Sequence, residues 1–223
     1  DICVPNLPVT IIGVGAGLAY GVDGPTHHGV EDIAIMRTLG NMHIYNPADG
    51  VSAFAAVKIC HTSRRPSYLR MDKEVLPPLY EKDHDFSSGM SVLVEGTNAV
   101  IVSTGVLSWT AYNAATSLSK EGLSVKAIDL YRLKPLDFKH LTSLLKDAKV
   151  IITLEENIAS GGIRTIVAET LVSSGQYPKF RSLSLGDNFL LGSASREWAA
   201  DKFGLTQQKL ESFVRETLTF TTE

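Results

Sequence analysis

Short apolar, β-branched runs that alternate with stretches of helical spacing limit most strongly what this chain can become. Val9-Thr10-Ile11-Ile12 ends at Gly13, and residues 43–45, 66–70, 99–103, 125–130, 150–154 and 180–185 are further runs of strand length. Between them, residues 31–39, 50–61, 105–121, 138–146, 163–173 and 205–218 place apolar side chains at helical intervals. Asp49 stands where a helix cap belongs, and Gly122 where a helix stops. Strands separated by helices imply an α/β protein with parallel sheets. The 223 residues, 44% hydrophobic and 20% charged, suffice for one large domain or two modest ones.

The rhythm breaks between residues 72 and 96. Pro77-Pro78, the polar run 81–85 and Ser87-Ser88-Gly89 form a breaker-rich connection. A boundary there predicts two units, residues 1–85 and 86–223. The first unit offers about three strands, and its first strand starts almost at residue 1, with no helix before it to cover it. A parallel sheet needs both faces covered. The first unit is therefore expected to be half a domain, completed by a preceding segment or by another chain. It should expose apolar surface, and an obligate dimer is expected.

A net charge of −3 gives no basic field for nucleic acid. Cys3 and Cys60 do not make a disulfide framework, so a reduced, cytoplasmic setting is expected. Cys60 reads as a small buried residue on the helix before His61. No apolar run approaches the roughly 18 residues of a membrane span, and Asp1-Ile2-Cys3-Val4 lacks the basic start of a signal peptide.

The chemistry concentrates in Gly21-Val22-Asp23-Gly24-Pro25-Thr26-His27-His28-Gly29, after one strand and before a helix. That carboxyl-end position is where parallel α/β sheets bind ligands. Glycine lets the backbone approach a ligand, and Pro25 fixes the loop. Asp23 can accept from a sugar hydroxyl, and the two histidines can exchange protons near neutral pH. Taken alone, a His-His pair on a glycine-rich turn is more often a surface feature. A metal site would need further ligands with suitable spacing, and no further His or Cys lies close in sequence. Gly13-Val14-Gly15-Ala16-Gly17 lacks the full spacing of a dinucleotide loop.

Several blocks in order make the pattern specific. Gly24-Pro25-Thr26-His27-His28, Glu31-Asp32, Met36-Arg37, Asn41-Met42 and Asn46-Pro47-Ala48-Asp49 resemble the later half of the pyrimidine-binding domain of transketolase-like thiamine-diphosphate enzymes. Residues 99–105 and 125–137, Leu154-Glu155-Glu156-Asn157 and Gly161-Gly162 resemble the transketolase C-terminal domain. The resemblance covers nearly the whole chain. It implies a partial parallel-sheet pyrimidine-binding domain followed by a smaller three-layer α/β domain.

It also implies roles. Asp23 would contact a substrate hydroxyl and His27 would face the substrate, as catalytic residues. His28 and Arg70 would bind substrate, Arg70 at the sugar phosphate, where its planar fork suits the oxygens. Arg37 is expected to serve on a helix surface, and Glu155 and Glu156 to be structural or at an interface. The implied activity is transfer of a two-carbon ketol unit between sugar phosphates, with thiamine diphosphate and Mg²⁺ held largely outside this sequence. The glutamate that activates the cofactor and the diphosphate-binding domain have no counterpart here. A homodimer, or a heteromer with a diphosphate-binding subunit, is expected, and this segment alone should be inactive. A histidine that transketolases carry shortly before the Asp-Gly-Pro block is replaced by the stretch from Gly13 to Tyr20. Residue 28 keeps a deoxyxylulose-phosphate synthase in play, and a 2-oxo-acid dehydrogenase β subunit shares the fold. A non-catalytic dimerisation or regulatory module is the alternative of a different class.

Overall fold

The computed structural model describes residues 1–219 and forms two mainly parallel sheets, in keeping with the expected α/β class. Thr10–Val14 (β1), Asp32–Arg37 (α1), His43–Tyr45 (β2), Gly50–Ser63 (α2) and Ser67–Met71 (β3) come first. Ser91–Val94 (β4), Ala99–Ser103 (β5), Leu107–Lys120 (α3), Val125–Asp129 (β6) and Arg132–Lys134 (β7) follow. Phe138–Leu145 (α4), Val150–Ile158 (β8), Ile163–Ser174 (α5), Lys179–Leu185 (β9), Arg196–Lys202 (α6) and Gln207–Thr219 (α7) complete the described residues. The smaller sheet runs β1-β3-β2-β7 and the larger β4-β6-β5-β8-β9. Among the described strands, β2 with β7 and β4 with β6 pair antiparallel, and the other strand pairs are parallel.

The larger sheet is covered on both faces. Ala99 and Ile101 of β5 point into a core with Ala111, Ala114 and Leu118 of α3 and Leu210 and Val214 of α7. Val100 and Val102 point the other way, toward Leu141 of α4 and Ile166 of α5. Ile33, Ile44 and Tyr68 from the first block join that second core, so the two blocks share one interior.

The smaller sheet is covered unevenly. Tyr45 and Leu69 pack against Ala56 and Cys60 of α2. Asp49 caps that helix, its carboxylate accepting from Ser52 N at 2.7 Å while the Ser52 hydroxyl receives Asp49 N. Cys60 is buried as expected, and burial raises its thiol pKa. Edge strand β1 leaves Ile11, Ile12 and Val14 exposed at 38, 56 and 60%. The first block thus presents the apolar surface that its three strands predicted.

Three elements escaped sequence reading: β4, β7 and α6. The expected connection at 72–96 contains β4. It is also anchored, because Tyr80 and Phe86 bury against Ala48 and Tyr131, with ring centroids of Phe86 and Tyr131 5.2 Å apart. Strand β8 runs on through Glu155, Glu156 and Asn157, past its expected end at 154. No helix among the described residues is long and apolar enough to cross a membrane.

Candidate active-site loop

The loop leaves β1 at Val14 and is held from its first residues, Gly15 N and Ala16 N both donating to Met71 O of β3. Gly17 and Gly29 then exchange backbone hydrogen bonds at 2.9 and 3.0 Å, closing the loop at its neck. Between them, a single 3-10 turn at Gly21–Asp23 presents Asp23 to solvent. Gly15 has φ +98°, and a Cβ there would lie 2.2 Å from the Tyr20 ring. Tyr20 therefore covers Gly15, in the stretch where the resemblance called for a histidine. Its ring centroid is 6.5 Å from that of His27, edge to face. Lys73 Nζ sits 4.6 Å from the Tyr20 centroid, a cation–π distance. His27 is exposed, its Nδ1 3.1 Å from Thr26 Oγ1.

The structure gathers Asp23 and His27 on one exposed loop and sends His28 elsewhere. His28 lines a cavity of about 310 Å³ with Leu18, Val30, Ile158, Leu185 and Leu190. Its Nε2 is buried without a hydrogen-bond partner. The two adjacent histidines thus sit in different environments.

Arg70 lies on β3 with 4% of its side chain exposed, committed to the protein. Its Nε donates to both Asp32 carboxylate oxygens at 2.9 and 3.1 Å. Its Nη2 donates to Gly29 O at 2.6 Å and Glu156 O at 3.1 Å. Asp32 also accepts from the Tyr68 hydroxyl at 2.7 Å. Burial and the neighbouring carboxylate raise the Tyr68 pKa. Arg70 thereby ties β3, the start of α1 and the loop neck to β8. Lys73, three residues on, was passed over in the sequence; a basic residue just past the strand end was the available signal.

The paired acids behind the loop divide their work. Glu155 accepts from Ile163 N and Arg164 N at 2.7 and 2.9 Å, capping α5. Burial lifts its pKa to about 7 against those hydrogen bonds. Glu156 accepts from Leu18 N at 3.1 Å and from Arg196 Nε and Nη2 at 3.0 and 2.7 Å. Arg37 donates to Gly161 O and Glu169, both at 2.7 Å, joining α1 to α5. Both acids and Arg37 hold elements together, as the resemblance implied for this region.

Comparison with known proteins agrees with this architecture. The family model for the transketolase pyrimidine-binding domain matches residues 1–78, and that for the transketolase C-terminal domain matches residues 89–210. The B subunit of the apulose-4-phosphate transketolase of Phocaeicola vulgatus is 32% identical over 217 residues, 95% of this chain and 69% of that protein. Its counterpart in Actinobacillus succinogenes is 30% identical over 78% of this chain and 57% of its own length. A 1-deoxy-D-xylulose-5-phosphate synthase of Carboxydothermus hydrogenoformans is 33% identical over 98% of this chain but 35% of its own length. Among solved structures, a split-gene transketolase described as an inactive β4 tetramer superposes with TM-score 0.82 at 32% identity, over 97% of this chain and 68% of that one. Leishmania mexicana transketolase, at 20% identity and TM-score 0.81, shares the fold over 97% of this chain and 31% of its own. The chain belongs to the transketolase family.

Proposed function

We propose that this chain is the acceptor- and donor-orienting part of a thiamine-diphosphate-dependent transketolase that moves a two-carbon ketol unit between sugar phosphates in the cytoplasm. Residues 1–85 would be the later half of the pyrimidine-binding domain and 86–223 the C-terminal domain. The observation that carries the reading is the exposed loop at the carboxyl end of a parallel strand, which presents Asp23 and His27, with Tyr20 edge-on to His27 and Lys73 from the end of β3 over the Tyr20 ring.

Thiamine diphosphate, when bound, supplies the electron sink for cleaving the carbon–carbon bond beside a carbonyl. No three His, Cys, Asp or Glu side chains gather as a metal-holding group among the described residues. The donor set here does not fit a magnesium diphosphate, and those groups are assigned to another segment or subunit. This chain's residues orient and protonate. Asp23 accepts a substrate hydroxyl, and His27 hydrogen-bonds a carbonyl or holds a proton. With Arg70 engaged internally, Lys73 is an exposed cation over the Tyr20 ring, and we assign the sugar phosphate to Lys73 with Arg70 behind it. His28 borders its own cavity, and it is the residue that keeps the synthase reading beside the transketolase one.

The assembly would be a heteromer with a diphosphate-binding subunit, or a homodimer completed by a further segment. The neighbour described as an inactive β4 tetramer supports inactivity of such a chain without its complement. The test is ketol transfer from a ketose phosphate to an aldose phosphate by the complete assembly with thiamine diphosphate and magnesium. Transfer by the assembly and none by this chain alone is expected. Pyruvate-dependent synthesis without ketol transfer would replace the reading with the synthase. A chain that alters neither cofactor binding nor turnover would be a scaffold.

A further inference from the structure

We infer that the segment from Gly192 to Arg196, in the second block, is a clamp that sets the position of the Asp23–His28 loop, with Arg196 as its positioning residue. The inference rests on the transfer reading above for its kinetic consequence, but not for its geometry.

Two grips act directly on the loop backbone. Ala194 N donates to Gly21 O at 3.2 Å, and Ser193 Oγ donates to Val22 O at 2.6 Å. The carbonyls gripped are those of the two residues before Asp23. Contact is close, since a Cβ on Gly21 would fall 2.6 Å from Ala194 O. Ser195 then caps α6 by accepting from Trp198 N, which starts the helix and delivers Arg196 inward.

Arg196 supplies the third grip through a carboxylate. Its Nε and Nη2 take the two oxygens of Glu156, and Glu156 Oε2 also receives Leu18 N from the loop. The loop runs hard against that carboxylate, because a Cβ on Gly17 would stand 2.3 Å from Glu156 Oε2. The same Nη2 donates to Asp72 Oδ2 at 2.7 Å, and Asp72 is the residue before Lys73. Glu74 Oε1 lies 3.4 Å from Nη1, an ion-pair distance without a hydrogen bond. One guanidinium therefore fixes the loop neck through Glu156 and the backbone beside Lys73 through Asp72.

The charge is needed as well as the shape. Glu156 and Asp72 expose 4 and 9% of their side chains, and Arg196 exposes 11%. Burial works against the arginine's charge, yet the two carboxylates outweigh it and raise its pKa. Without Arg196, two buried carboxylates would face each other uncompensated, and one would take up a proton or turn away. Glu156 would then release Leu18 N, and the loop would lose its neck contact.

The experiment uses the complete assembly with thiamine diphosphate and magnesium. Arg196→Met is expected to lower kcat by about 10- to 100-fold, with the acceptor KM changing by less than about threefold, the signature of misplaced rather than missing groups. Arg196→Lys, which keeps the charge but not the fork, should restore part of that loss. Amide exchange at Leu18 and residues 19–24 should quicken in Arg196→Met, while amides of β5 and β8 keep their protection. Arg215→Met removes a surface arginine of α7 paired with Glu121 and Glu211 and should leave kcat unchanged. Unchanged kcat in Arg196→Met, or a loss of kcat without faster loop exchange, overturns the clamp. If Arg196→Met does not fold, Ser193→Ala decides, since it deletes one exposed hydrogen bond and should speed loop exchange about threefold. If the wild-type assembly transfers no ketol unit, the transfer reading falls, while the exchange pattern still decides the clamp.

Discussion

The two sheets solve the same burial problem to different degrees. In the larger sheet every residue of β5 is buried, and α3 and α7 on one face oppose α4 and α5 on the other. In the smaller sheet the inner strands β2 and β3 are covered, yet β1 at the edge presents Ile11, Ile12 and Val14 to solvent. A parallel strand rich in β-branched residues is costly to leave bare. The difference separates a sheet covered on both faces from one covered by α2 and by the interior it shares with its neighbour, and secured to that neighbour by side chains. The security is concentrated at Arg70, which joins β3 to α1, the loop neck and β8.

The sharpest way to break this comparison is to remove that joint. Arg70→Met leaves Asp32 facing a buried apolar side chain and strips donors from Gly29 O and Glu156 O. It is expected to destabilise the fold by about 3–5 kcal/mol, read from the urea midpoint. An arginine serving only a phosphate would show little change in stability and a raised acceptor KM. That outcome would move the joint away from Arg70.

The second sheet should be sensitive in its middle instead. Ile101 is fully buried between Ala127 and Ile152 in the sheet's pairing. Ile101→Ala should cost about 2–5 kcal/mol by leaving a cavity that the close-packed core cannot fill. Thermal or urea unfolding measures it. A cost below about 1 kcal/mol would mean that this core collapses around the gap, and the contrast between sheets would weaken.

Buried acids sharpen the comparison through pH. Asp129 ends β6, accepts from Tyr80 OH at 2.6 Å and from Ser108 Oγ at 2.7 Å, and is pushed by burial from 3.8 to about 7. Its folded pKa is raised, so its stabilising contribution is complete below about pH 4 and is lost as pH rises through about 7. Asp129→Asn should therefore reduce the stability difference between pH 5 and pH 8 by roughly 2–4 kcal/mol, since each tenfold change in proton affinity is worth about 1.4 kcal/mol. Glu155, raised to about 7 mainly by burial, keeps a residual slope of the same sign. A full wild-type slope in Asp129→Asn would place the titration elsewhere.

How much of this was legible follows the range of the interactions. The alternation of strands and helices showed the class, and Asp49 showed the start of α2, because those signals lie within a few residues. Strand β7 is three residues, two of them charged, and only its pairing with Ile44 and Tyr45 of β2 makes it a strand. Strand β4 was hidden between Gly89 and Gly96, whose breaker character outweighed the run Ser91-Val92-Leu93-Val94. In the site, the shared exposed loop of Asp23 and His27 was readable from sequence, since they are neighbours. The burial of Arg70 was not, because its partners Asp32 and Glu156 lie 38 and 86 residues away. Nor was the separation of His28 from His27, which depends on Leu185 and Leu190 of the second block.

The smallest expected effect tests the comparison from its open side. Ile12 is 56% exposed on β1, so Ile12→Asp removes little burial in the isolated chain. Its stability should change by no more than about 0.5 kcal/mol, as for surface positions generally. If β1 is the face that a partner subunit or further segment covers, the same change should abolish co-purification of that partner, because it would bury an unpaired carboxylate. Size-exclusion chromatography of the mixed subunits, beside urea unfolding of the chain alone, reads both numbers. Loss of stability in the isolated chain would show that β1 is already covered in solution. Unchanged assembly would mean that the apolar strand faces water by design and that the partner docks elsewhere.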